Sequence, residues 1–358
     1  MSEVIRKRVV FLDYMRVFAF VSVLVGHKFF EMLASLATSP ETHVTIRLIA
    51  QALMPLCYGG AAGVVVFFLT SGYIITHVLQ TEGATDFLIK RIFRIYPLYI
   101  FAVVMELVFD SVFSDLPMPP LSVIVPRILL VGDFFNTPYG LAGVEWTLRI
   151  EVMFYAFMYL AKLTGLFKHQ TLLPYIYAVA ALILFMAPKF PNGIGWSDGY
   201  FNLYASFLFC GSCIYLAEKG LASAAESVTC IIFILALFLF LVPVFQPAWK
   251  DSNYAIFSML IFAAAFAFRN SLGDSKLLIM LSELTYSVYL FHNWLWGYIY
   301  DVFFKNNWYL FDFRLQTLIV LLIFCYAANK TVEQLGIKAG RLVLGAIRRR
   351  RQLVPELT

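Results

Sequence analysis

The sequence predicts an all-α fold, a polytopic bundle of about ten transmembrane helices with both termini on the cytoplasmic side. Three observations predict it. Of the 358 residues, 61% are hydrophobic and only 14% are charged, and the mean hydropathy is +0.80, well outside the composition of a soluble globular domain. Apolar runs near or above the roughly 18 residues that cross a bilayer recur from one end to the other, with no polar block long enough for a separate soluble domain. Lys and Arg are distributed unevenly about those runs.

In chain order the expected spans are 9–30, 56–79, 95–114, 148–166, 171–188, 201–217, 226–244, 253–269, 277–299 and 314–334. The first follows Arg6, Lys7 and Arg8 like the apolar region of a signal peptide, but polar groups interrupt it and no A-x-A-like site follows, so it is expected to stay as the first helix. With the N-terminus inside, 18 of the 27 Lys and Arg residues fall on the cytoplasmic side and eight, Lys250 among them, on the other, leaving Arg16 within the first span. The positive-inside bias supports this orientation, and an even number of spans returns the C-terminus to the same side. Residues 1–340 read as one membrane-embedded domain and 341–358 as a basic tail, in which Arg348 to Arg351 suit anionic lipid better than nucleic acid.

Two segments on the outer side, 31–55 and 115–147, are longer than turns. In the second, D-L-P-M-P-P excludes a continuous helix and P-Y-G-L-A-G-V-E-W reads as a short re-entrant or interfacial stretch. There is no internal repeat of the kind many secondary transporters carry. The five cysteines sit mostly in apolar runs, and Cys210-x-x-Cys213 lacks a second ligand pair, so neither a disulfide framework nor a metal site is expected. His43, His77 and His169 read as interfacial residues, and no P-loop, G-x-S-x-G elbow or dinucleotide fingerprint is present.

Five stretches carry chemistry. In D-Y-M-R-V-F-A-F-V-S-V-L-V-G-H, Arg16 and His27 are eleven residues apart, which puts them on one helical face about 16 Å apart along the axis, and Asp13 stands three residues before Arg16, where it can pair with it. Snorkelling to the two interfaces would account for each singly; three ionisable groups on one stripe point to function. In G-G-A-A-G-V-V-V-F-F-L-T-S-G, Gly59, Gly60, Gly63 and Gly72 suit close helix packing, and Ser71 is expected to bond back to its own helix. Lys90, Arg91 and Arg94 at an inner mouth form either a positive-inside anchor or a fork for a phosphorylated ligand. Glu151 falls inside the fourth span and needs a partner on another helix; His27 is the expected one, a carboxylate there orienting the imidazole. Trp146 suits an interfacial belt or a substrate-facing wall. In the ninth span Tyr286, Tyr289 and His292 form a tyrosine-rich sector with a hydrogen-bonded histidine at a depth similar to His27, where it serves packing or binding.

Taken in this order, these stretches resemble the acyltransferase 3 family of integral membrane acyltransferases, over most of the chain. L-D-Y-M-R-V-F-A-F-V-S-V-L-V-G-H is similar to the family's first-helix pattern, V-F-F-L-T-S-G-Y-I-I-T to its F-F-x-x-S-G-F-L-I element, and R-I-F-R-I-Y-P-L-Y to its R-x-x-R-x-x-P-x-Y element. E-W-T-L-R-I-E-V-M-F-Y is similar to its W-S-L-x-x-E element and L-T-Y-S-V-Y-L-F-H to its S-Y-x-x-Y-L-x-H element. Tyr73, Thr147 and Thr285 depart modestly from these patterns, and the soluble esterase-like domain that some members carry does not follow, so the membrane domain is expected to act alone.

The resemblance implies transfer of an acyl group, usually acetyl, from acyl-CoA on the cytoplasmic side to a hydroxyl of a cell-surface polysaccharide or its lipid-linked precursor, in the cell inner membrane and with no bound cofactor. It places His27 in the catalytic role, and Glu151 would orient it. Arg16, Lys90, Arg91 and Arg94 would bind the donor, with Asp13, Ser71, Trp146, Tyr286, Tyr289 and His292 contacting substrate or supporting the site. The competing reading is a transporter or flippase for sugars or lipid-linked glycans using the same buried charges; a cytoplasmic phosphate fork is needed by a CoA enzyme and not by a simple permease. A scaffold in polysaccharide export leaves the buried His27 and Glu151 unexplained.

Overall fold

The computed structural model describes residues 8–247 and 253–353. Arg6, Lys7 and Lys250, sorted by side above, lie outside the described residues, as do the side chains of Arg350 and Arg351. Among the described residues the chain is helical throughout, with no strand. Helices α1 to α5 are Val10–Lys28, Phe30–Thr38, Val44–Cys57, Ala61–Thr81 and Ala84–Phe113; α6 to α10 are Leu121–Ile128, Glu145–Leu163, Leu173–Met186, Tyr200–Tyr204 and Ser206–Glu218. Helices α11 to α16 are Ala224–Phe245, Tyr254–Ala267, Lys276–Phe291, Trp294–Lys305, Phe313–Ala328 and Gln334–Leu353.

Among the described residues, six helical stretches are long and apolar enough to cross a membrane: Val10–Lys28, Val44–Thr81, Ala84–Phe113, Tyr200–Glu218, Ala224–Phe245 and Phe313–Arg349. The apolar helices Gln170–Met186 and Tyr254–Ala267 are shorter. Every span expected from the sequence falls on helix, but two boundaries move. Helix α5 begins at Ala84 rather than near residue 95 and runs through Pro97, and Arg91 and Arg94, three residues apart, share a helical face as their spacing predicts. The single expected span 277–299 is two helices, α13 and α14, meeting at His292 and Asn293. Residues 341–353 continue the last bundle helix.

The two long connecting segments are organised too. Residues 31–55 form the hairpin of α2 and α3. The proline-rich stretch is non-helical up to Pro120, which precedes α6, and 132–144 is a folded loop of short turns.

Helix α4 is the centre of the bundle, packed on α1, α10 and α12. Its contact with α10 is reciprocal: a Cβ on Gly72 would lie 1.9 Å from the Leu208 carbonyl oxygen, and one on Gly211 would lie 2.0 Å from that of Leu69. Only glycine at both positions lets the two backbones approach this closely. Gly59 and Gly60 both have left-handed φ (55° and 70°) and make the turn that separates α3 from α4, and Gly60 also packs closely as expected, since a Cβ there would lie 2.9 Å from Val23 Cα on α1. At one end of the bundle, hereafter the upper end, lie His27, the start of α4 and the 132–144 loop; Arg16, Arg91 and Arg94 lie toward the other.

Candidate active site

An upper cavity of about 770 Å³ opens beside the end of α1. Its walls are largely aromatic, with Trp146, Tyr200, Tyr204 and Tyr254 buried, and Tyr58 and Trp196 more than half exposed at the rim. Trp146 is therefore a cavity wall rather than a residue of an interfacial belt. It packs edge-on against Tyr200, ring centroids 4.7 Å apart.

His27 faces this cavity and is accessible within it. Its partner is a second histidine: His27 Nδ1 lies 3.0 Å from His292 Nε2, with the rings stacked at 29°. His292 is 1% exposed, and its Nδ1 lies 2.8 Å from the Tyr289 carbonyl oxygen. A carbonyl only accepts, so His292 Nδ1 carries a proton; in the neutral ring Nε2 is then an acceptor, and His27 Nδ1–H donates to it. The lone pair of His27 is thereby assigned to Nε2. Lys28 donates to Asn293 Oδ1 at 2.7 Å, and Asn293 Nδ2 donates to the Ala142 carbonyl at 2.6 Å, tying the end of α1 to the α13–α14 break and the loop above the cavity.

Glu151 is not the orienting group that the sequence suggested. Its Oε1 accepts from Ser71 at 2.7 Å and from Tyr155 at 2.5 Å. The reason is depth. Helix α7 starts at Glu145, so Glu151 lies about 9 Å along its axis, level with Ser71, which lies about 15 Å down α4 from Ala61. The partner is on another helix, as a buried carboxylate requires, but it is Ser71, which bonds across to α7 and not back to its own helix.

Glu151 instead lines a lower vestibule of about 90 Å³ with Arg16, Arg91, Arg94, Ser71 and Tyr286. Arg16 lies 3.6 Å from Asp13, the pairing expected from their spacing. Asp13 is 2% exposed and also accepts from Arg8 at 2.6 Å and from Ser282 at 2.6 Å, so it joins α1 to α13 instead of reaching to an interface. Arg94 lies 3.2 Å from Glu333, in the π-helical turn Asn329–Glu333 between α15 and α16. Arg91 has no carboxylate partner among the described residues and sits over the Phe87 ring. Lys90 stands apart from the vestibule, 2.8 Å from Glu82. Tyr286 donates to the Ile95 carbonyl at 2.8 Å, which fixes α5 against α13.

Between the two spaces lies a constriction of about 10 Å³. It shares Val23, Val64 and Tyr289 with the upper cavity, and Phe67 and Thr285 with the lower vestibule. The Tyr289 hydroxyl lies 2.5 Å from Thr147 Oγ1 and 3.0 Å from the Val144 carbonyl oxygen.

The upper loop is held by a buried ionic network that the sequence did not reveal. Arg149, fully buried, donates to Asp133 at 2.7 Å and to the Thr137 carbonyl at 3.1 Å, lies 3.5 Å from Glu145, and stacks on Tyr139 at 4.2 Å. Arg127 pairs with Glu106, and with Glu145 at 2.6 Å, while Glu145 Oε2 accepts from the Gly140 amide at 3.0 Å. These contacts hold Leu141 and Ala142 at φ of 53° and 51°, unusual for residues with a Cβ, and Ala142 lines the cavity. Glu106 inside the third apolar run was the available signal, since a lone carboxylate there demands a cation.

The bundle sets an accessible, oriented imidazole at one end and a cluster of guanidiniums toward the other, an arrangement suited to group transfer within a membrane. The family model described as an acyltransferase domain, that of the acyltransferase 3 family, matches residues 9–329, and the chain belongs to that family. The protein is thus a multi-pass membrane acyltransferase. No curated protein and no solved structure matches the chain.

Proposed function

We infer that the protein transfers an acyl group, acetyl in the first instance, from acyl-CoA held at the lower, cytoplasmic end to a hydroxyl of a cell-surface polysaccharide or its lipid-linked precursor in the upper cavity. The observation that carries this reading is the His27–His292 pair, which assigns the lone pair of an accessible imidazole to Nε2 in the lining of a large aromatic-walled cavity. Arg91 and Arg94, with Arg16 deeper in the vestibule, suit the phosphates of CoA, because guanidinium groups bind phosphate by paired charge-assisted hydrogen bonds. Lys90, paired with Glu82 at 2.8 Å, stands outside this group. Aromatic walls suit the apolar faces of a sugar ring.

In the reaction His27 Nε2 takes the proton of the acceptor hydroxyl as its oxygen attacks the thioester carbonyl. The tetrahedral intermediate collapses with cleavage of the carbon–sulfur bond, and the imidazolium returns the proton to the CoA thiolate, giving ester and CoA thiol. His292 positions the ring and accepts from its Nδ1–H throughout. General-base assistance of this kind is worth about 10²- to 10⁴-fold, with placement of the two substrates supplying more.

The test uses permeabilised membranes from cells overproducing the protein, supplied with radiolabelled acetyl-CoA. Label is expected in the carbohydrate-bearing fraction with the wild type and not with His27→Ala at equal protein level. Equal incorporation by the two would end the assignment of His27.

A further inference from the structure

The constriction between the two spaces is walled by a pair of rings set 2° from parallel, Phe67 and Tyr289, with centroids 6.2 Å apart. The two walls are not equivalent. Tyr289 is anchored by its hydroxyl on Thr147 and the Val144 carbonyl, and its own carbonyl holds His292, so it is fixed by the groups that orient the catalytic imidazole. Phe67 has no polar anchor, is partly exposed, and lines both the constriction and the lower vestibule. The helix that carries it cannot recede toward α1, because a Cβ on Gly63, one turn earlier, would lie 2.4 Å from the Ala19 carbonyl oxygen. The free space between the rings, about 10 Å³, is on the order of a single water.

We propose that Phe67 is the specificity-determining wall for the acyl group: its ring turns against the fixed Tyr289 to admit a slim, uncharged, unbranched thioester from the vestibule to His27, and excludes branched acyl groups. This rests on the functional reading above, since it presumes a donor entering from the Arg16, Arg91 and Arg94 side. The upper cavity is large enough for longer chains, so discrimination falls on the cross-section of the group that must pass and not on the room at its destination. A branch methyl that does not fit costs a binding step about 10- to 200-fold.

The test is a competition between acetyl-CoA and isobutyryl-CoA, each labelled in the acyl group, in permeabilised membranes containing wild type or Phe67→Ala. Wild type is expected to favour acetyl by at least about 10-fold, and Phe67→Ala to bring the two donors within a few-fold of each other while still transferring acetyl. A ratio unchanged in Phe67→Ala, with acetyl transfer retained, overturns the assignment of Phe67 and leaves the functional reading intact. Absence of transfer from any CoA thioester by the wild type overturns that reading, and the passage with it. If Phe67→Ala does not give folded protein by thermal unfolding in detergent, Phe67→Leu is read in its place: a shift of the ratio toward isobutyryl supports the assignment, and an unchanged ratio overturns it.

Discussion

His27 and His292, 265 positions apart in the chain, share one hydrogen bond of 3.0 Å, and the Tyr289 carbonyl behind His292 sets the proton positions of both rings. Removing His292 should therefore leave the base present but free to turn and to change tautomer. His292→Ala is expected to lower kcat by about 10²-fold with little change in the KM for donor, whereas His27→Ala should abolish measurable transfer. Steady-state kinetics on purified protein in lipid separates the two; a change confined to KM in His292→Ala would give that residue a binding role instead.

The guanidiniums of the vestibule differ in what they already hold. Arg94 lies 3.2 Å from the buried carboxylate of Glu333, while Arg91 has no carboxylate within ion-pair distance among the described residues and sits over the Phe87 ring. An anion entering this space finds Arg91 uncommitted. Arg91→Ala is expected to raise the donor KM by about 10-fold or more, the worth of a hydrogen bond to a charged group, and Arg94→Ala to raise it less. Lys90→Ala, on a residue paired with Glu82 outside the vestibule, should leave it nearly unchanged. Titration of each variant with CoA checks the order.

How much of this was legible in the sequence follows from what periodicity encodes. The stripe joining Arg16 to His27 and the pairing of Asp13 with Arg16 are properties of one helix, so helical spacing alone was enough to place them. The partner of Glu151 depended on the depth of one helix against another, and an error of a few residues in where α7 begins exchanges Ser71 for His27. The break at His292 and Asn293 carries neither Pro nor Gly, and the run reads as one span because nothing local marks it. The Arg127 and Arg149 network joins residues from α5, α6, the 132–144 loop and α7; its two arginines looked like ordinary outer charges because the segment between them folds back only when these partners meet.

The placement of Glu151 makes a prediction that separates it from the role suggested by the sequence. Gln at this position can still accept the hydroxyls of Ser71 and Tyr155, so Glu151→Gln should fold like the wild type and leave the pH dependence of kcat unmoved. Glu151→Leu leaves both hydroxyls without an acceptor in a buried setting and is expected to destabilise by about 1–3 kcal/mol. Thermal unfolding in detergent and a pH–rate profile would show this. A displaced pH optimum in Glu151→Gln would return the carboxylate to proton transfer.

Arg149 bears on the cavity from a distance. It is fully buried, and its guanidinium satisfies Asp133, Glu145 and the carbonyls of Thr137 and Pro138 at once, so the 132–144 loop closes over this cation. Replacing it with Met leaves the buried carboxylate of Asp133 without its cation, with Arg127 already engaged by Glu106 and Glu145. The cost of breaking such a pair from one side is about 3–5 kcal/mol. Lys carries the charge but not the planar fork that reaches four acceptors, so Arg149→Lys should recover only part of the loss. Because Ala142 and Val144 of this loop line the cavity, and Val144 accepts from Tyr289, the loosened loop should also slow transfer in whatever protein remains folded. If Arg149→Met unfolds at the wild-type temperature and Arg149→Lys is indistinguishable from it, the loop is held by something other than this network.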